Sequence, residues 1–227
     1  MPLTISRIKA ICFDIDGTLR DTDDHYAARV ARMLHPIRWL LPQRNPEASA
    51  RRLVMGFEGP VNGLFALADR LGLDGLLHRF VELASPSRRR GEGQPYTLIP
   101  GIRSALAALA QHYPLAAVTT RGATSTQHFL ESTQLASQFQ CVASALTTRR
   151  GKPSPEPILW AAQLMEIAPE ACLMVGDTTV DIRAGKAAGA QTVALLSGFG
   201  EEAELLALSP DLVLPSVAEL PAALGLA

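Results

Sequence analysis

The residues best suited to chemistry end an apolar run near the amino terminus. Ile8, Ala10, Ile11, Cys12 and Phe13 read as a buried strand that stops at Asp14, with Asp16, Gly17 and Thr18 directly after it. Strands buried on both faces of a parallel sheet read as continuous apolar stretches. Acids that end such a stretch therefore lie at its carboxyl edge, where open α/β sheets hold their ligands. Two carboxylates one residue apart can face the same small volume, and their repulsion is costly unless a cation or shared proton offsets it. A hard divalent ion, which prefers oxygen ligands, is one solution. An acidic Asp-Gly turn without a ligand is the other reading of these residues taken alone.

Three more polar clusters follow apolar runs. Thr119 ends Leu115–Val118. Lys152 lies in Arg149-Arg-Gly-Lys-Pro-Ser-Pro-Glu-Pro157, after a weaker run. Asp177 and Asp181 lie in Gly176-Asp-Thr-Thr-Val-Asp-Ile182, after Cys172–Val175. If these strands are parallel, all four clusters come to one edge. Acids, one hydroxyl and one ammonium in a small site suit phosphoryl transfer, which asks mainly for positioning, charge neutralisation and a nucleophile. Only Lys9, Lys152 and Lys186 of the 21 basic residues are lysine, so each retained lysine is a candidate for a place where a compact ammonium is required.

The elements that would position these groups alternate. Strands are expected over 115–118, 139–142, 172–175, 191–195 and 212–214. Helices are expected over 102–112, 124–134, 155–165, 180–188, 201–206 and 217–224. This alternation predicts an α/β fold, a doubly wound parallel sheet with helices on both faces. Residues 20–95 differ: arginine-rich, without strand-like runs, with helical apolar spacing in four stretches and breakers at Pro36, Pro42, Pro46, Gly56, Gly59 and Pro60. They read as an inserted all-helical domain, leaving 1–19 and 96–227 as the core. The insertion carries about +3 and the remainder about −4.

With 48% apolar and 19% charged residues and a net charge of −1, the chain gives no electrostatic reason to expect nucleic acid or an anionic membrane as partner. The first apolar run is cut too soon for a secretory segment or a membrane span. Cys12, Cys141 and Cys172 have no metal-type spacing and read as buried, reduced thiols of a cytoplasmic protein.

Asp14-Ile-Asp16-Gly-Thr-Leu, Thr119, Lys152-Pro and Gly176-Asp177-x-x-x-Asp181 resemble, in order and spacing, the four motifs of the haloacid dehalogenase-like hydrolase superfamily. The helical insertion is similar to the cap of its phosphoglycolate phosphatase and beta-phosphoglucomutase branch. The resemblance implies a Rossmann-like core and a role for each motif residue. Asp14 would attack phosphorus and form an aspartyl-phosphate. Asp16 would protonate the leaving oxygen and then activate water. Mg²⁺ would be held by the Asp14 carboxylate, the Asp16 backbone carbonyl and Asp177, with Asp181 in support. Thr119 and Lys152 would contact phosphoryl oxygen and nucleophile, while Arg20 and Thr120 are candidates for substrate contact. Thr120 departs from the Asn common in relatives. In the family that the chain resembles, an acid at position 16 is the mark of phosphoryl transfer, so the resemblance implies that reaction and leaves a dehalogenase the less favoured reading.

The expected activity is Mg²⁺-dependent hydrolysis of a small phosphorylated metabolite, phosphoglycolate-like or a sugar phosphate. A phosphomutase is the alternative, and a binding or regulatory protein the rival of another class. Oligomeric state is not legible.

Overall fold

A computed structural model describes residues 3–21 and 96–226. The chain divides into two units, Met1–Asp23 with Tyr96–Ala227, and Asp24–Pro95. The helical segments expected over 20–95 fall almost wholly outside the described residues.

Six strands form one sheet: β1 (Ala10–Phe13), β2 (Leu115–Val118), β3 (Cys141–Ala143), β4 (Cys172–Gly176), β5 (Gln191–Leu195) and β6 (Leu212–Leu214). Every pairing is parallel, in the order β3-β2-β1-β4-β5-β6. The order reverses at β1, so the crevice beyond its carboxyl end is the topological switch point where such sheets bind ligands. Ile11 lies opposite both Leu115 and Leu173, and Phe13 opposite Ala117 and Val175.

The helices are α1 (Ile102–Ala110), α2 (Ala123–Ser132), α3 (Glu156–Leu164), α4 (Thr179–Ala187), α5 (Glu202–Ala207) and α6 (Leu220–Ala223). Side chains of a strand point to opposite faces in turn, and the two faces here differ in size. Ile11, Phe13, Leu115, Leu173, Val193 and Leu195 pack with α1, α2 and α6. Ala10, Cys12, Ala116, Cys141, Cys172 and Met174 pack with α3 and α4. Full burial of each large aliphatic or aromatic side chain stabilises by roughly 1.5–3 kcal/mol. The second face works by close approach instead. A Cβ on Gly185 of α4 would lie 2.6 Å from Thr192 Cγ2 and 2.9 Å from Met174 Cβ. The three cysteines belong to this small-residue face and are buried and free of disulfides.

Two expected elements are corrected. The strand expected over 139–142 is Cys141–Ala143, because Phe139 closes a 3-10 turn and turns its ring edge-on to Phe13, 6.5 Å between centroids. The helix expected over 217–224 is a 3-10 turn, Val217–Glu219, followed by α6. Pro221 lies in the first turn of α6, a place where its missing N–H costs no helical bond. Among the described residues, no helix is long and apolar enough to cross a membrane.

Candidate active site

Beyond Phe13 the chain turns back on itself. The N–H groups of Leu19 and Arg20 both donate to the Ile15 carbonyl, and Gly17 N–H donates to the Arg20 carbonyl, each at 2.9 Å. Gly17 has φ +79°, a region open to glycine at little cost, and any side chain there would run into the Asp177 carboxylate. Asp14 N–H donates to Val175 of β4, and the Thr18 hydroxyl donates to Asp177 Oδ1 at 2.9 Å. This turn therefore binds the first motif to the fourth.

Lys152 arrives from the loop between β3 and α3, through a cis Lys152–Pro153 peptide. Its Nζ donates to Asp14 Oδ1 at 2.7 Å and to Asp181 Oδ1 at 2.6 Å, with its side chain only 3% exposed. Asp181 sits in the first turn of α4, where a negative charge suits the helix dipole. The N–H and hydroxyl of Thr178 both donate to its Oδ2, at 3.0 and 2.7 Å. This is a capping box that leaves Asp181 Oδ1 for the lysine.

Asp177 is held from two sides. Besides the Thr18 hydroxyl, Phe199 N–H donates to Asp177 Oδ2 at 2.8 Å, and Gly200 N–H donates to the Asp177 carbonyl at 3.1 Å. The Ser197 hydroxyl reaches the Gly17 carbonyl at 3.0 Å. Gly198 lies so close that a Cβ would overlap the Asp177 carboxylate. The loop after β5 thus closes over the acid it supports.

Asp14, Asp177 and Asp181 bring one oxygen each within 4.8 Å of one another, all three buried. Among the described residues, one ammonium, Lys152, stands against this trio, bonded to Asp14 and Asp181. Burial pushes the Asp14 carboxyl up to about 7, against the pull of Lys152 and with the push of Asp181. Burial likewise raises Asp177 well above its ordinary value, reinforced by Asp181 and Asp14, although the Phe199 N–H and Thr18 hydroxyl draw it back. Burial alone would lower Lys152, but Asp14 and Asp181 more than offset this and hold it above its ordinary value. An all-oxygen donor set with an excess of negative charge fits a hard divalent cation.

Asp16 stands near enough to Asp14 for its charge to help raise that carboxyl. Its carboxylate lies outside the buried trio, because its Oδ1 accepts from Arg121 Nη1 at 2.8 Å and Arg20 Nη1 at 3.3 Å. Thr119 is buried and accepts the Arg121 N–H on its hydroxyl oxygen at 3.2 Å. Thr120 is exposed beside it.

Residues 11–195 match the family model described as haloacid dehalogenase-like hydrolase. The chain belongs to the haloacid dehalogenase-like hydrolases. It is an enzyme of the phosphatase kind within them. The phosphoglycolate phosphatase of Escherichia coli (strain K12) is 31% identical over 96% of this chain and 93% of its own. A haloacid dehalogenase-like family protein of Streptococcus pneumoniae is 28% identical with a TM-score of 0.67, covering 96% of this chain and 99% of that one. A hydrolase of this family from Deinococcus radiodurans, solved with bound phosphate and sodium, is 26% identical with a TM-score of 0.69, covering 97% of each chain.

Within this haloacid dehalogenase-like hydrolase, four of the residues singled out from sequence, Asp14, Lys152, Asp177 and Asp181, meet in one cluster. Arg121, Tyr96, Thr178 and the Ser197–Gly200 loop were not singled out. Thr178 had a signal, since a threonine three residues before an acid at a helix start is a capping pattern. The loop acts through backbone N–H groups, which every residue but proline possesses, and so left none.

Proposed function

We propose that this hydrolase cleaves the phosphate ester of a small phosphorylated metabolite, with phosphoglycolate the first candidate, through an aspartyl-phosphate on Asp14. The observation that carries this is Lys152 Nζ bridging Asp14 Oδ1 and Asp181 Oδ1 beside a third buried acid. With Oδ1 engaged, Asp14 keeps Oδ2, which takes no hydrogen bond from the described residues, as the attacking oxygen. The bond from Oδ2 to phosphorus forms as the ester P–O bond breaks, and Asp16 delivers a proton to the departing oxygen. Asp16 then takes a proton from water, whose oxygen attacks phosphorus and frees Asp14. Lys152 balances charge on the nucleophile, and Thr119 hydrogen-bonds a phosphoryl oxygen.

Asp14, Asp177 and the Asp16 backbone carbonyl would hold Mg²⁺, with Asp181 in support. The cation supplies positive charge that eases the approach of an anionic nucleophile to an anionic ester. Residues 20–95 serve as a helical cap that limits water and selects the substrate, on a core of residues 1–19 and 96–227. The absence of any long apolar helix among the described residues and the free, buried cysteines support a cytoplasmic enzyme.

Phosphate release from phosphoglycolate with Mg²⁺, abolished in Asp14→Asn, is the expected result. Conversion of a sugar phosphate to its isomer without free phosphate would replace hydrolysis by a mutase reaction. An Asp14→Asn protein as active as the original would remove Asp14 as the nucleophile.

A further inference from the structure

Asp16 holds its carboxylate apart from the buried trio, and Arg121 is the nearer of the two arginines that meet it there. Arg121 Nη1 reaches Asp16 Oδ1 at 2.8 Å from a side chain 14% exposed. Arg20 Nη1 touches the same oxygen at 3.3 Å from a side chain 23% exposed. The shorter and less solvated of two charge-assisted bonds is the less screened and the stronger.

Arg121 is itself braced on several sides. Its backbone N–H donates to Thr119 Oγ1 at 3.2 Å, and its carbonyl accepts the Ala145 N–H at 2.8 Å. Its Cζ lies 5.9 Å from the ring centres of both Tyr96 and Phe129, within the range of cation–π attraction. Phe129 is buried in the core, and Tyr96 packs edge-on against it at 5.3 Å. The Tyr96 hydroxyl meets His128 Nδ1 at 3.1 Å.

One residue thus registers two groups of the site through separate atoms. The Arg121 N–H occupies the Thr119 oxygen as an acceptor, which leaves the proton of that hydroxyl for a phosphoryl oxygen. The guanidinium fixes Asp16. The charges of Asp14 and Asp16 act on each other, and like charges repel, so the Asp16 carboxylate is pushed outward. Arg121 decides where it comes to rest. A proton carrier must stay within hydrogen-bond reach of the oxygen it serves, and a carboxylate repelled but not caught would spread over several rotamers.

We propose that Arg121, braced by Tyr96 and Phe129, is the positioning residue that sets Asp16 where it delivers a proton to the departing oxygen. This rests on the phosphatase reading, in which Asp16 is the proton carrier. Arg121 acts through Asp16, so its loss falls on proton delivery rather than on recognition of the alcohol portion of the substrate.

The leaving group provides the test. Phosphoglycolate and glycerophosphate release alkoxides that need the proton, whereas nitrophenyl phosphate releases a stable anion that departs without one. The readout is kcat/KM of the full-length enzyme with Mg²⁺, which covers the steps through departure of the leaving group and not the later release of phosphate from Asp14. Arg121→Gln should lower it about 100-fold for both alkyl esters, the lower end of what general acid catalysis contributes, and about tenfold or less for nitrophenyl phosphate. Arg121→Lys, which keeps the charge without the planar fork, should recover part of the loss. Tyr96→Leu should show the same selectivity to a smaller degree. Equal falls for all three esters would make Arg121 merely structural, and a fall for phosphoglycolate alone would make it a contact to the carboxylate; either result, or unaltered rates, overturns the proposal. An original enzyme that cleaves neither alkyl ester sinks the phosphatase reading itself, whereas cleavage of both with equal falls in the variant sinks only the role of Arg121. Should Arg121→Gln fail to fold by circular dichroism, Arg121→Lys and Tyr96→Leu decide by the same comparison.

Discussion

Lys152 Nζ and Asp14 Oδ1 meet at 2.7 Å across 138 positions of sequence, in a pocket that leaves the lysine side chain 3% exposed. The same ammonium reaches Asp181 at 2.6 Å. Among the described residues it is the cation that joins two of the three buried carboxylates, Asp14 and Asp181, and the behaviour of the site turns on it.

Replacing Lys152 by Met should therefore damage both folding and chemistry. Removing one partner of a buried pair costs about 3–5 kcal/mol, because the other charge is left uncompensated. Denaturant unfolding without metal should show a loss of that order, and phosphatase turnover should fall at least about a thousandfold. Lys152→Arg should not restore activity, since a planar guanidinium does not fit a slot shaped to an ammonium. Turnover near the original level in either variant would remove Lys152 from the mechanism.

Gly198→Ala should separate metal binding from the rest of the fold. Its methyl group has no room beside Asp177, so the loop or the carboxylate must move. Calorimetric Mg²⁺ affinity should weaken at least about tenfold, the scale of a lost supporting contact around a metal ligand. Ser197→Ala, which removes only the bond to the Gly17 carbonyl, should cost about 1 kcal/mol of stability. Equal Mg²⁺ affinity in Gly198→Ala and the original would show that the loop does not shape the site.

The metal-free protein should lose stability as pH rises from about 4 to about 7. The native Asp14 carboxyl, held up to about 7 by burial, keeps a proton there that the unfolded chain has released, so the native state binds more protons and rising pH favours unfolding. A bound cation opposes this, so the gain in melting temperature on adding Mg²⁺ should be larger near pH 8 than near pH 5, by about 2 °C or more. A gain that is flat or falls with pH would contradict the burial-driven shift.

Thr178→Val should lose the hydroxyl that holds Asp181 Oδ2 while keeping the shape of the side chain. The cap is worth about 1 kcal/mol, and a loosened Asp181 should let Lys152 shift, lowering kcat several-fold. Thr178→Ser should behave like the original in both stability and rate; a serine variant as impaired as valine would place the effect in packing instead.

The strands and four motifs were legible because a buried parallel sheet writes itself as apolar runs and its ligand edge as the polar residues that end them. Three strands coincide with the expected spans residue for residue: 115–118, 191–195 and 212–214. Phe139 misled because an aromatic can reach the core from a turn as well as from a strand. Arg121 and Tyr96 stayed hidden for another reason. Their pairing with Arg20 and Asp16 joins segments far apart in sequence, and no local pattern encodes such a meeting. Gly198 was equally silent, since what matters there is the empty space beside Asp177, and Gly17 was visible as a turn residue but not as a close neighbour of that acid.

The position of β1 at the middle of the sheet has a consequence for hydrogen exchange. Bonded to β2 on one side and β4 on the other, its amides should exchange only when the whole core opens, whereas β3 and β6, each paired along one edge, should exchange through local openings. Asp14 follows the segment that opens last, and Lys152 follows one that opens early. The proposed nucleophile and its counter-charge thus belong to different kinetic layers of the same sheet, and transient fraying at β3 would part them long before the protein unfolds.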